Sequence, residues 1–149
     1  MAQFYTQAAG QINPGFNQQI DAQNSQIPAI QQLYQTLIQG LQGQQQAGQL
    51  NNLEASSGRG LLKSTIPVDA NNALGQQIVQ QAGQFAAQQG NDISGIYGNV
   101  ANLRTQQAQG TSQLANQYQQ SDLRQQQFNY NQQQAERQYQ LALQSARRG

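Results

Sequence analysis

The apolar residues of this chain are few, and over much of its length they fall three or four positions apart. Ile27, Ile30, Tyr34, Leu37 and Leu41 alternate by steps of three and four, which lines them up on one seam of an α-helix in coiled-coil fashion. The spacing predicts a first helix over 27–53. Ser25 is placed to cap its start, and Pro28 suits its first turn, where a missing N–H costs nothing. Glutamine, a good helix former, fills the other faces. Gly40, Gly43 and Gly48 weaken the second half by up to about 1 kcal/mol each relative to alanine, and Leu50 and Leu53 extend the stripe.

A second and longer helix is expected over 76–149. Ile78, Ala82, Phe85, Ile93, Ile96, Val100, Leu103, Leu114, Tyr118, Phe128, Ala135, Tyr139 and Ala142 sit mostly at three- or four-residue steps. Glutamine, glycine and serine fill several of the steps between them. Glycines at 83, 90, 95, 98 and 110 are places of close helix approach or of interruption, with breaks expected near 90–98 and 110. From Gln113 to Arg148 there is neither glycine nor proline.

Between these helices, glutamine is absent from Leu50 to Gly75. The segment 54–75 reads as the hinge of a helical hairpin or as a docking loop. Gly58 and Gly60 can adopt the backbone angles that end a helix. Ser64 or Thr65 can cap the next one, with Pro67 in its first turn and Asp69 near the positive helix end. Leu61, Leu62 and Ile66 form the densest apolar cluster in the chain. Residues 1–26 carry turn signals at Gly10, Asn13-Pro14-Gly15 and Asn24-Ser25. Phe4, Tyr5, Ile12, Phe16 and Ile20 look irregularly spaced. An extended or loosely helical N-terminal arm is expected there, either anchored on a neighbour by its aromatics or a flexible terminus.

Composition changes what these stripes can do. Of 149 residues only 36% are hydrophobic and 9% charged, while glutamine alone fills 39 positions. Ordering a residue costs roughly 1–2 kcal/mol of backbone entropy, and so little apolar surface offsets it poorly in a lone copy. The expected fold class is therefore all-α: a helical hairpin with one long C-terminal helix, packed in a multi-copy ring or bundle. Glutamine amides would bond laterally within it. The residues expected at interfaces are Ile27, Ile30, Tyr34, Leu37, Leu41, Leu61, Leu62, Ile66, Ile78, Phe85, Ile96, Val100, Leu103, Leu114, Tyr118, Phe128 and Tyr139.

Charge and chemistry narrow the function. The net charge is +1, and without clustered Lys and Arg the chain lacks the footprint of a nucleic-acid binder. At most weak, non-specific nucleic-acid contact is expected. The chain contains no cysteine and no histidine, which removes thiolate ligands, disulfides and the commonest general base. Asp21, Glu54, Asp69, Asp92, Asp122 and Glu136 are scattered, with no pair spaced to share a substrate. Gly58-Arg59-Gly60-Leu61-Leu62-Lys63-Ser64-Thr65 ends like a phosphate-binding loop. That loop needs glycine where Leu62 and Ser57 stand, and a strand before it, so a turn followed by a helix cap is the better reading. The six tyrosines are expected to pack, with hydroxyls reaching an amide or water. The glutamine runs at 44–46, 125–127 and 132–134 would suit an aggregation-prone chain, but the regular seam from Ile27 to Leu41 argues against pure low complexity. No catalytic site, cofactor or metal is expected. No apolar run approaches the 18 or so residues of a membrane helix, and Met1-Ala2-Gln3-Phe4-Tyr5 lacks the basic start and apolar core of a secretory signal.

The order of these features carries a resemblance. A Gln/Ala-rich helix leads to a Ser57-Gly58-Arg59-Gly60-Leu61-Leu62-Lys63-Ser64 hinge. A long helix follows with Ile78, Gly83, Asp92-Ile93 and Tyr97-Gly98, and it closes in Tyr130-Asn131-Gln132-Gln133-Gln134-Ala135-Glu136-Arg137-Gln138-Tyr139. Over about residues 47–145 this resembles small virion proteins of tailed bacteriophages, of the internal, ejection or portal-tail-associated kind. It departs from many of them in its low charge. The resemblance implies a non-enzymatic virion component, made in the host cytoplasm, that associates with itself and with portal, tail or capsid proteins. It would line the portal or tail channel, or sit in the internal core and aid genome retention or ejection. An assembly scaffold or chaperone, and a disordered or fibre-forming Gln-rich protein, are the alternatives.

Overall fold

Apolar side chains that recur every three or four residues can leave water only if another helix lies along them. A computed structural model, which describes residues 2–60 and 66–148, supplies those helices from within the chain. It is all-α, with α1 at Ala2–Asn24, α2 at Gln26–Gly58 and α3 at Ile66–Arg148. The helices group into two compact units, one of Gln19–Asn102 and one of Met1–Gln18 with Leu103–Gly149.

The first unit is the expected hairpin, with α2 antiparallel to the first part of α3. Asn52 meets Asn71, Gly48 meets Leu74 and Tyr34 meets Asp92, so numbers fall on one helix as they rise on the other. Its core is Ile20, Tyr34, Leu41, Ile78, Ile96 and Val100, all buried. Each such side chain contributes roughly 1.5–3 kcal/mol on leaving water. The helices come close where Gly48 faces Leu74: a β-carbon built on Gly48 would stand 2.5 Å from the Leu74 Cδ2.

In the second unit the start of α1 runs against α3 beyond Leu103. Here small residues make the contact. Ala8, Thr111 and Ala115 are buried, and the Ile12 Cδ1 lies 3.4 Å from where a β-carbon on Gly110 would sit. Phe4, Ile12, Phe16, Leu103 and Leu114 are half-buried around them.

Several expectations are corrected. Residues 2–24 form a helix rather than an extended arm. Ala8 completes a strict four-residue step through Phe4, Ile12 and Phe16, and the contact with α3 offsets a proline inside the helix, Pro14, which costs about 3 kcal/mol. Ser25 does not cap α2. It is itself helical (φ −66°, ψ −16°), its N–H donates to the Asp21 carbonyl at 2.9 Å, and its hydroxyl donates to the Ala22 carbonyl. The discontinuity after Asn24 has another origin: Pro28 has no N–H to offer the Asn24 carbonyl.

The hinge expected over 54–75 is shorter, because α2 runs on to Gly58 and α3 starts at Ile66. Residues 54–57 hold no helix breaker, and Ser56 is buried. Pro67 is the second residue of α3 and Asp69 lies in its first turn. The cap at Ser64 or Thr65 falls outside the described residues. No break appears near 90–98 or at 110. Gly83, Gly90, Gly95 and Gly98 face open space, so their cost is only backbone entropy, while Gly110 lies beside Ile12 at a distance that would make an ordinary contact for a β-carbon.

α2 ends as expected of its glycines. Gly60 is in the left-handed region at φ +70°, and its N–H donates to the Ser57 carbonyl at 3.0 Å. Gly60→Ala is expected to lower stability by about 1 kcal/mol. Thermal unfolding followed by circular dichroism should show a Tm lower by a few degrees.

Candidate interaction surfaces

Where polar residues fall on the seams, they pair. In the hairpin unit the Asn52 Nδ2 donates to the Asn71 Oδ1 at 3.0 Å. The Tyr34 ring is buried and tilted 60° to Phe85 at 6.5 Å, while its hydroxyl donates to the Asp92 Oδ2 at 2.8 Å. In the terminal unit the Gln107 Nε2 donates to the Asn13 Oδ1 at 2.7 Å, and the Tyr118 hydroxyl donates to the Gln11 Oε1 at 2.7 Å. Thr111 turns its hydroxyl back to the Gln107 carbonyl at 2.8 Å. Every buried side-chain nitrogen and oxygen among the described residues has a partner. A seam in which amide meets amide holds only in the register that pairs them, since a slip strands a donor at a cost of about 1–3 kcal/mol.

These contacts consume most of the residues expected to face other molecules. Tyr34, Leu41, Ile78, Ile96 and Val100 are buried within the hairpin unit, and Ile27, Ile30 and Phe85 are half-buried there. Leu103, Leu114 and Tyr118 are half-buried in the terminal unit. Leu61, Leu62 and the side chain of Ile66 lie outside the described residues. Among the expected residues that are described, only Leu37, Phe128 and Tyr139 stay exposed.

Two kinds of surface remain. One side of the hairpin unit carries an open groove of about 670 Å³ lined by Gln45, Gln49, Asn71, Asn72, Gln76 and Val79 among others, and nearly all of its polar groups are amides. The other surface is α3 beyond Gln119. There every described residue but Gln134 is exposed, Phe128, Tyr139 and Leu143 included. Polar contacts in this stretch are local to the helix: the Gln126 Nε2 donates to the Asp122 Oδ2 and the Gln134 Nε2 to the Tyr130 hydroxyl, both at 2.9 Å. Among the described residues no three His, Cys, Asp or Glu side chains gather to hold a metal ion, and no helix is long and apolar enough to cross a membrane.

The residues that lock the register, Asn13, Asn52, Asn71, Asp92 and Gln107, were not candidates by sequence. Their signal is positional: Asn13 stands three residues before Phe16, Asn71 three before Leu74, Asp92 four before Ile96 and Gln107 four after Leu103. No protein-family model, characterised protein or solved structure matches the chain.

Two outcomes test this account. Gln107→Leu leaves the half-buried Asn13 amide without its donor and is expected to cost about 1–3 kcal/mol in urea denaturation. Adding Asn13→Leu replaces the pair by apolar groups and should recover most of that loss. A double variant no better than the single would show that the unpaired amide is not the source.

The second concerns pH. The hydrogen bond to the Asp92 carboxylate, then burial, then the negative charge of Asp92 raise the Tyr34 phenol above the ordinary tyrosine value. The folded pKa therefore lies above the unfolded one. The stabilisation is complete below about pH 10 and is lost as pH rises through the folded value. Denaturation midpoints of the wild type should exceed those of Tyr34→Phe at neutral pH and fall to meet them in alkali. A constant gap across that range would assign the effect to packing instead.

Proposed function

We propose that this chain is a non-enzymatic structural component of a tailed-bacteriophage particle, present in several copies at the portal or tail channel or in the internal core. The observation that carries the reading is the helical surface left after folding: long, rich in amides, nearly free of net charge, and still apolar along α3 beyond Gln119. A part that uses its helices to contact neighbours needs such a face. The near-neutral surface fits a channel through which DNA passes, because phosphate affinity rises with each Lys or Arg contact. The hinge and the closing Tyr130–Tyr139 stretch add the resemblance to small virion proteins.

The experiment is quantitative mass spectrometry of purified particles and of their assembly precursors, from the phage that encodes the chain. Several copies per mature particle are expected. Presence in precursors but not in mature particles would make the chain an assembly factor, and absence from both would end the virion reading.

A further inference from the structure

The face of α3 that α1 covers does not stop where α1 does. Within the terminal unit the covered stripe runs through Leu103, Gln107, Leu114 and Tyr118. The same face continues past Gln119 with nothing against it among the described residues, and on it Phe128 is 57% exposed and Tyr139 68%, with Leu143 at its edge. From Ser121 to Ala146 the face repeats with strictly alternating steps of four and three, the heptad spacing of a coiled coil. That alternation reads the same in both directions. We propose that residues 120–147 pair antiparallel, about a two-fold axis, with the same segment of a second copy of this chain.

The register follows from the symmetry of the steps. Phe128 of one copy stands opposite Tyr139 of the other, Gln132 opposite Ala135, and Gln125 opposite Ala142. Large residues thus meet across the contact and a methyl faces each glutamine. The two Gln132 side chains flank the axis, offset by three residues or roughly 4.5 Å along the helices. That is near enough for their amides to bond as Gln107 and Asn13 do within the chain.

Charge favours this direction over a parallel one. Parallel chains would bring two Arg147 guanidinium groups to one end, whereas antiparallel pairing sends them to opposite ends, each level with Gln120 of the other copy and two residues, roughly 3 Å along the helix, from the level of its Asp122. Antiparallel helix dipoles also attract. In this register residue 147 of the second copy reaches the level of residue 120, just past the stretch that α1 covers, so the pairing occupies the uncovered face and does not displace α1. Leu123, Tyr130 and Leu141 lie on the opposite side of the helix and take no part. The inference stands on the geometry of α3 and not on the virion reading: a chain that pairs in this way but is absent from particles keeps the one and loses the other.

The test uses the full chain. Light scattering on the size-exclusion eluate at roughly 100 µM, where a weak dimer is populated by mass action, should give twice the 16.3 kDa chain mass. Phe128→Glu with Tyr139→Glu should return it to the single-chain mass with the helical dichroism kept, since both side chains are exposed in the lone chain. Tyr130→Glu should leave the doubled mass in place.

Direction is read by disulfide trapping, which the absence of native cysteine makes clean. Gln125→Cys and Ala142→Cys should cross-link when the two variants are mixed. Neither should link with itself, because like positions stand 17 residues apart, about 25 Å. The proposal fails if the chain is a monomer throughout. It fails equally if an oligomer survives the Phe128/Tyr139 change, if Tyr130→Glu dissociates it as well, or if either cysteine variant links to itself.

Discussion

A helix that offers one apolar side chain in every three or four residues, with glutamine nearly everywhere else, has little to gain from folding alone. What makes the fold possible is that each stripe finds a second one running the opposite way, close enough for small residues to touch. Gly48 beneath Leu74, and the burial of Ala8, Thr111 and Ala115, show how close. Close approach raises the number of dispersion contacts per residue, and so offsets a poor supply of large apolar groups. Gly48, which weakens an isolated helix, makes room here for Leu74.

With so little apolar bulk to define a unique fit, register has to come from elsewhere. Hydrophobic stripes of similar residues can slide by one helical turn at small cost. Side-chain amides cannot, because each carries donors and acceptors that must be matched when water is excluded. Asn52 with Asn71 therefore fixes what Tyr34, Leu41 and Ile78 stabilise in the hairpin unit, and Gln107 with Asn13 fixes what Ala8 and Ala115 stabilise in the terminal unit. The tyrosines join the two roles. Tyr34 and Tyr118 put rings on the seam and carry the hydroxyl to a polar partner at its edge. This division between apolar stabilisation and polar specification is the same that single buried polar residues perform in coiled coils.

The consequence for function is that self-burial is selective. Much of the apolar stripe is used up inside the chain, and what is left is divided between the hairpin unit, where Leu33, Leu50, Leu53, Val79 and Tyr97 are exposed, and α3 beyond Gln119. An exposed apolar helical face can leave water when another helix lies along it, while the amide-rich remainder contributes little attraction of its own. In the pairing proposed above, assembly is directed to the last part of the long helix.

The helical character, the hairpin and the long α3 were all legible in the spacing of Ile27 to Leu41 and of Ile78 to Ala142, because a 3.6-residue period is a local property. The stop at Gly60 was legible too, since few residues but glycine take its φ of +70°. The N-terminal helix was not: Ala8 is too small to announce itself as part of a stripe, and Pro14 argues locally for a turn until a contact across the chain outweighs it. Nor could glycine content tell a break from an approach. Gly98 and Gly110 look alike in sequence, and only the presence of Ile12 beside one of them separates the two. The sequence by itself determined where helices can form and which faces are apolar, through periodicity and backbone preference. Which stripes the chain buries against itself, which amides pair, and which face is left for another molecule were decided by the tertiary structure, because those outcomes depend on residues about 20 to 110 positions apart meeting in one register.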